Sequence, residues 1–151
     1  MAVAKSRRLW CSCVVIDYLK GEARAKTACE SIIKTAEAGE TEIVVSAVCL
    51  AEVITVESGP DSIERIGSFF RQPYVVVAQV DFRVGEIAAD IRRKTKLKTL
   101  DALHLATAVR FAIPTLETFD DDDLIPLDGQ FGDPAVLIRH PRPEAQTRLP
   151  I

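Results

Sequence analysis

No apolar run in this 151-residue chain approaches the ~18 residues that a membrane-spanning helix requires. A surplus of positive charge is missing as well. The net charge of −3 and a pI near 5.4 leave any nucleic-acid contact to a local basic patch. Loops that cradle phosphates are absent: neither G-x-x-x-x-G-K-S/T nor G-x-G-x-x-G occurs. Ser-His-Asp chemistry has no nucleophile elbow to carry it. Zinc finds no ligand set either, because Cys11-Ser12-Cys13 has no second Cys pair and His104 and His140 lie far along the chain. The four cysteines (Cys11, Cys13, Cys29, Cys49) all stand in apolar patterns, which suits buried thiols in a reducing cytoplasm better than a disulfide framework. Internal repeats and domain linkers are not visible.

What is present is ordinary globular material, 48% hydrophobic and 27% charged. The length suits one domain, expected over residues 1–140, with 141–151 as a peripheral or loose proline-containing tail. Leu9–Cys11 reads as a buried strand rather than the start of a signal sequence, and Val14–Leu19 as a helical turn ended by Lys20-Gly21. Ala23–Ala38 has helical composition and stops at Gly39. Glu42–Val45 is strand-like, and Ser46 caps a helix from Ala47 to about Glu57, broken by Gly59-Pro60. Asp61 begins a helix to about Arg71, and Tyr74–Val80 is the clearest strand.

Asp81 caps a helix that ends in the basic segment Arg92–Lys98, and Thr99 caps the next, Leu100–Ala112. Thr115–Thr118 and Ala135–Ile138 complete the strands. Strands alternating with helices predict an α/β fold, a three-layer α/β/α sandwich around a small parallel sheet. Ligands of such sheets bind beyond the carboxyl ends of the strands. Cys11, the Ser46 helix start and the Asp120 run each follow a strand directly and should converge there.

Three acidic groups stand out. Asp101 lies in the apolar stretch Leu97–Val109, where an isolated carboxylate would be costly. Glu52 sits among Leu50, Ala51, Val53 and Ile54, and Asp120–Asp123 is an uninterrupted run of aspartates. Each has an ordinary explanation: a first-turn aspartate meeting the helix dipole, a solvent-facing glutamate, a solvated loop. Brought together, however, they would repel one another without a counter-ion, and oxygen ligands suit Mg²⁺ or Mn²⁺. His104, one turn after Asp101, either orients it, meets substrate, or is a core histidine.

Val14–Gly21, Ser46-Ala-Val-Cys-Leu-Ala-Glu-Val53, Leu100-Asp-Ala-Leu-His-Leu-Ala-Thr-Ala108 and Thr118-Phe-Asp120 resemble, in order and spacing, the PIN-domain ribonucleases, above all the VapC-type toxins of toxin–antitoxin pairs. The resemblance spans roughly residues 8 to 140, and the Leu100–Ala108 segment is its most specific part. It implies a compact α/β/α fold, a homodimer, and Mg²⁺- or Mn²⁺-dependent endoribonuclease activity restrained by a cognate antitoxin. Carried over residue by residue, it implies metal-binding and catalytic roles for Glu52, Asp101 and Asp120, with Asp123 a further metal contributor. Ser12, Thr118 and His104 would line the site and position the substrate, and Arg92 and Arg93 in the basic segment would position the RNA backbone.

The family's first acidic position falls on Cys11. A thiol is a soft ligand and poorly suited to Mg²⁺, so weakened metal affinity and a lowered rate are expected. A variant with reduced or lost activity, an inactivating substitution, and a site shifted toward a thiophilic metal all fit that residue. The leading expectation is a weakened endoribonuclease, and the alternative is an inactive module that binds RNA or antitoxin. A phosphoacceptor domain of the receiver type lacks the lysine it needs after a late strand.

Overall fold

The computed structural model describes residues 5–55 and 58–144. Five parallel strands form one sheet: β1 Ser6–Trp10, β2 Thr41–Ser46, β3 Val75–Ala78, β4 Thr115–Glu117 and β5 Leu137–Arg139, in the spatial order β3-β2-β1-β4-β5. Six α-helices connect them: α1 Ser12–Lys20, α2 Ala23–Glu37, α3 Ala47–Val53, α4 Pro60–Phe70, α5 Phe82–Lys94 and α6 Thr99–Arg110.

Parallel sheets are buried on both faces because their crossovers cover them, and the strand residues here alternate between two cores. Leu9 and Val44 face a core shared with Val84, Ile91, Leu105 and Ala108 of α5 and α6. Trp10, Ile43 and Val45 face the other, shared with Val14, Ile32 and Phe69 of α1, α2 and α4. Those two cores make the three-layer sandwich expected from the alternation of elements.

Several boundaries differ from the sequence expectations. The first strand begins three residues earlier, at Ser6, because the buried Arg8 is neutralised by Glu117 on the adjacent β4. The first helix is a full nine residues from Ser12, closed by Gly21 in a left-handed conformation (φ 72°) that a side chain would strain. Helix α3 stops at Val53, where Ile54 turns extended; its expected end at Glu57 lies outside the described residues. Asp81 and Ser46 do cap their helices, accepting the backbone N–H groups of Val84 and Val48. Thr99 does not cap α6: Lys98 takes the N-cap position without a side-chain bond, and Thr99 is the first helical residue. The Tyr74–Val80 strand is shorter, and the last strand runs two residues further on than expected at its start.

After β5 the chain is tied back to the sheet. The Arg142 backbone N–H donates to Glu117 Oε2 at 3.1 Å, and its carbonyl accepts from Arg8 at 2.7 Å. Residues 145–151 of the expected tail lie outside the described residues.

The chain runs from β1 to β2 and β3 on one side of the sheet, then to β4 and β5 on the other. The strand order therefore reverses between β1 and β4, and a crevice opens at the carboxyl ends of strands at such a switch point. Cys11 and Thr118 directly follow these two strands, and Ser46 ends β2 beside them.

Candidate active site

Cys11, Ser12 and Cys13 from the β1–α1 junction meet Glu52 of α3, Asp101 and His104 of α6, and Thr118 and Asp120 after β4 around one cleft of about 260 Å³. Each arrives for a local reason. Asp101 and His104 are three residues apart on α6 and therefore share a face. Asp120 is held by a turn: its backbone N–H donates to Thr118 Oγ1 at 3.1 Å, and its Oδ1 accepts the N–H groups of Asp122 and Asp123 at 3.1 and 3.0 Å. Thr118 is itself fully buried and lies 3.4 Å from Cys13 Sγ, which also accepts the Phe119 backbone N–H at 3.4 Å.

Glu52 accepts a hydrogen bond from the Ser12 hydroxyl at 2.6 Å and lies 2.6 Å from His104 Nε2, both contacts falling on Oε1. Ser12 Oγ and His104 Nε2 are 3.1 Å apart and close a triangle. Partial burial raises the Glu52 carboxyl, but the bonds from His104 and Ser12 outweigh it and hold the group below the usual glutamate range. Asp101 goes the other way. Burial raises it first, then the nearby Asp120, with Glu52 and Asp123 adding repulsion and only His104 opposing. Two carboxylates of one cleft are thus pushed apart, Glu52 by its hydrogen-bond donors and Asp101 by burial and the negative charge beside it.

Cys11 is buried, and burial, followed by its neighbours Cys13 and Asp101, pushes its thiol well above the ordinary range. It contributes a neutral sulfur where the cleft already holds three hard oxygen donors. Those oxygens suit a divalent cation, whose charge would relieve the strain on Asp101; the thiol does not. Among the described residues no three His, Cys, Asp or Glu side chains close into a coordination sphere, and Glu52 Oε1 is taken by Ser12 and His104.

Asp123 lies outside the lining of this cleft and borders a neighbouring groove with Asp122, Lys94 and Lys96. Arg92 and Arg93 border neither: Arg92 Nε donates to the Leu97 carbonyl at 3.4 Å, and Arg93 sits 4.0 Å from Asp90. Asp17 is turned away from the cleft and pairs with Arg24 at 2.5 Å.

Sequence reasoning missed Glu117. It is fully buried on β4 and accepts from Arg8, Trp10 Nε1, Arg139 Nε and the Arg142 backbone. Its backbone carbonyl accepts the Cys11 N–H at 3.1 Å, so the same residue fixes the strand end from which Cys11 enters the cleft. A charged residue inside a short strand was the only local signal, and its partners are more than a hundred residues away for Arg8 and Trp10.

No helix among the described residues is long and apolar enough to cross a membrane. No curated protein matches the sequence. Among solved structures, the chain is similar to a toxin–antitoxin complex from Klebsiella pneumoniae, with a TM-score of 0.64 and 22% identity over 81% of this chain and 93% of that one. It is similar to VapC20 of Mycobacterium tuberculosis, described as a Sarcin-Ricin loop cleaving toxin, with a TM-score of 0.59 and 18% identity over 76% and 91% of the two chains. A third likeness is to VapBC2 from Rickettsia felis bound to a promoter DNA fragment, with a TM-score of 0.60 and 12% identity over 74% and 86%. At these identities the likeness is one of fold. The family model named PIN domain matches residues 12–127, from the first residue of α1 to the turn after the aspartate run, and the chain belongs to the PIN-domain family.

Proposed function

We propose that this chain is a VapC-type endoribonuclease toxin that cleaves RNA phosphodiester bonds with Mg²⁺ or Mn²⁺, weakened by Cys11. The observation that carries the reading is the convergence of Glu52, Asp101 and Asp120, from three separate elements, on one cleft at the switch point of the sheet. The similar solved structures, one described as a toxin–antitoxin complex and one as a Sarcin-Ricin loop cleaving toxin, support the same class. A cognate antitoxin protein is the implied partner, with a homodimer working in the cytoplasm as the implied form.

Glu52, Asp101 and Asp120 would hold the cation, with Asp123 a further contributor from the next groove. When bound, a divalent cation supplies an acidified water and offsets the charge that develops on the phosphate oxygens. The chain's own residues do the rest. Thr118 and the turn behind it keep Asp120 aimed into the cleft. The basic segment Arg92–Lys98 attracts the RNA backbone, with Lys94 and Lys96 on the groove beside Asp122 and Asp123. Leu124 and Ile16 supply apolar wall to the cleft.

A second reading is favoured by one observation, the neutral buried thiol at the strand end: a PIN-fold module that binds RNA or an antitoxin without cutting. Cleavage of a structured RNA with Mn²⁺, by this chain, by Cys11→Asp and by Asp101→Asn, separates the two. The nuclease reading expects weak cutting by the chain, stronger cutting by Cys11→Asp and none by Asp101→Asn. Binding without cutting by all three gives the module reading, and equal activity of all three sinks the assignment of the site.

A further inference from the structure

His104 is fully enclosed, only 2% exposed, yet its Nδ1 has no hydrogen-bond partner. Its Nε2 is engaged twice, 2.6 Å from Glu52 Oε1 and 3.1 Å from Ser12 Oγ. A buried donor left unsatisfied costs the full desolvation of an N–H, whereas a ring nitrogen without a proton loses only an acceptor contact. The ring proton therefore belongs on Nε2, where it meets the carboxylate, and Nδ1 is the bare nitrogen.

Ser12 has one proton and gives it to the same oxygen at 2.6 Å. Glu52 Oε1 thus accepts from two buried donors that are themselves in contact, while neither bonds Oε2. The two donors come from well-anchored places. Ser12 opens α1 directly after the central strand β1, and His104 lies on α6 among Ala102, Leu105 and Ala108, all fully buried. Glu52, in contrast, sits one residue from the end of the short helix α3.

From this geometry we infer that Ser12 and His104 are positioning residues, a two-donor clamp that fixes the rotamer of Glu52 and leaves its second oxygen to face the cleft. Neither would touch RNA. This rests on the reading of Glu52 as a cation ligand. It replaces the substrate contact expected of these two residues with a role acting through the carboxylate. A long side chain near the end of a short helix loses rotamer freedom when it binds a cation, and the clamp takes that loss before binding occurs.

The test uses two readouts, neither of them activity. In ¹⁵N-edited NMR of the metal-free full chain, His104 is expected as the Nε2–H tautomer, with a ring signal that moves in Glu52→Ala. An Nδ1–H tautomer, or a signal indifferent to Glu52→Ala, overturns the clamp. Direct Mn²⁺ binding, followed by the loss of the free-ion electron paramagnetic resonance signal, then compares variants whose folding is verified by circular dichroism. Removal of an outer partner of a ligand typically costs about 10–100-fold in metal affinity, and His104→Leu is expected to fall in that range. His104→Gln, which returns an N–H near the Nε2 position, should recover most of that loss, and Ser12→Thr, which keeps the hydroxyl, should stay near the wild-type affinity. Wild-type affinity in His104→Leu while Asp101→Asn is weakened overturns the inference alone. Equal Mn²⁺ binding by wild type, Asp101→Asn and His104→Leu overturns the cation reading and the clamp with it.

Discussion

One guanidinium nitrogen of Arg8 lies 3.1 and 3.0 Å from the two carboxylate oxygens of Glu117, with both side chains all but closed to solvent. The pair joins adjacent central strands and sits directly beneath the junction from which Cys11 and Ser12 enter the cleft. Breaking such a pair leaves an uncompensated charge in the interior. Glu117→Ala is expected to destabilise the protein by about 3–5 kcal/mol in urea unfolding. A loss under about 1 kcal/mol would mean that water reaches Arg8 once the carboxylate is gone.

Cys11→Asp should have opposite effects without and with cation. Alone, a fourth carboxylate beside Asp101 adds repulsion, and the unfolding midpoint falls. With Mn²⁺ the new ligand strengthens binding, and saturation at 100 times Kd returns about 2.7 kcal/mol. RNA cleavage is expected to rise by about tenfold or more. Thermal melts with and without Mn²⁺ check this, and a variant whose midpoint ignores the ion contradicts it.

The cleft carboxylates make opposite contributions to stability as pH changes. Asp101 titrates above its unfolded value, so the folded state binds the extra proton and stability falls as pH rises through that window. Asp101→Asn should therefore be more stable than the wild type at neutral pH without metal, the difference closing as pH falls below the usual aspartate value of ~3.9. Glu52 titrates below its unfolded value, so its contribution is present above the usual glutamate value of ~4.3 and is lost as pH falls through the lowered one. Glu52→Gln should be less stable at neutral pH and match the wild type in acid. Denaturation midpoints across pH 3–7 measure both; curves for either variant parallel to the wild type would refute the assignment.

Thiol chemistry offers a separate check. Burial pushes Cys29 and Cys49 up to about 12 and raises Cys11 well above the ordinary value, whereas Cys13 is partly accessible. Reactivity follows the exposed thiolate, so Ellman's reagent at pH 8 should find about one fast thiol in the native chain and four after unfolding. Rapid modification that persists in Cys13→Ser would show the buried thiols to be open.

Much of this molecule was written in local patterns. Ile43-Val44-Val45 is β-branched and becomes a central strand, and Asp81 and Ser46 cap helices as their side chains predict. The alternation of strands and helices dictates a covered parallel sheet, since consecutive parallel strands need a crossover. Asp101 and His104 share a helix face by their spacing alone. The order of the motifs around Glu52, Asp101 and Asp120 was legible for the same reason: each follows from a strand end or a helix turn nearby.

What the tertiary structure decided is where the charges go. Arg8 falls just before the strand expected from Leu9, yet it is a buried strand residue, because a glutamate over a hundred positions later lies across the sheet from it. Ser12 and His104 read as contacts for substrate, yet both turn to Glu52, because α1, α3 and α6 bring them within 2.6 Å of the same oxygen. A hydrophobic period records only which face of an element is buried, and a cap is a contact within a few residues. The pairing of polar groups across the fold depends on distances set by the packing of whole elements, and no local pattern encodes them.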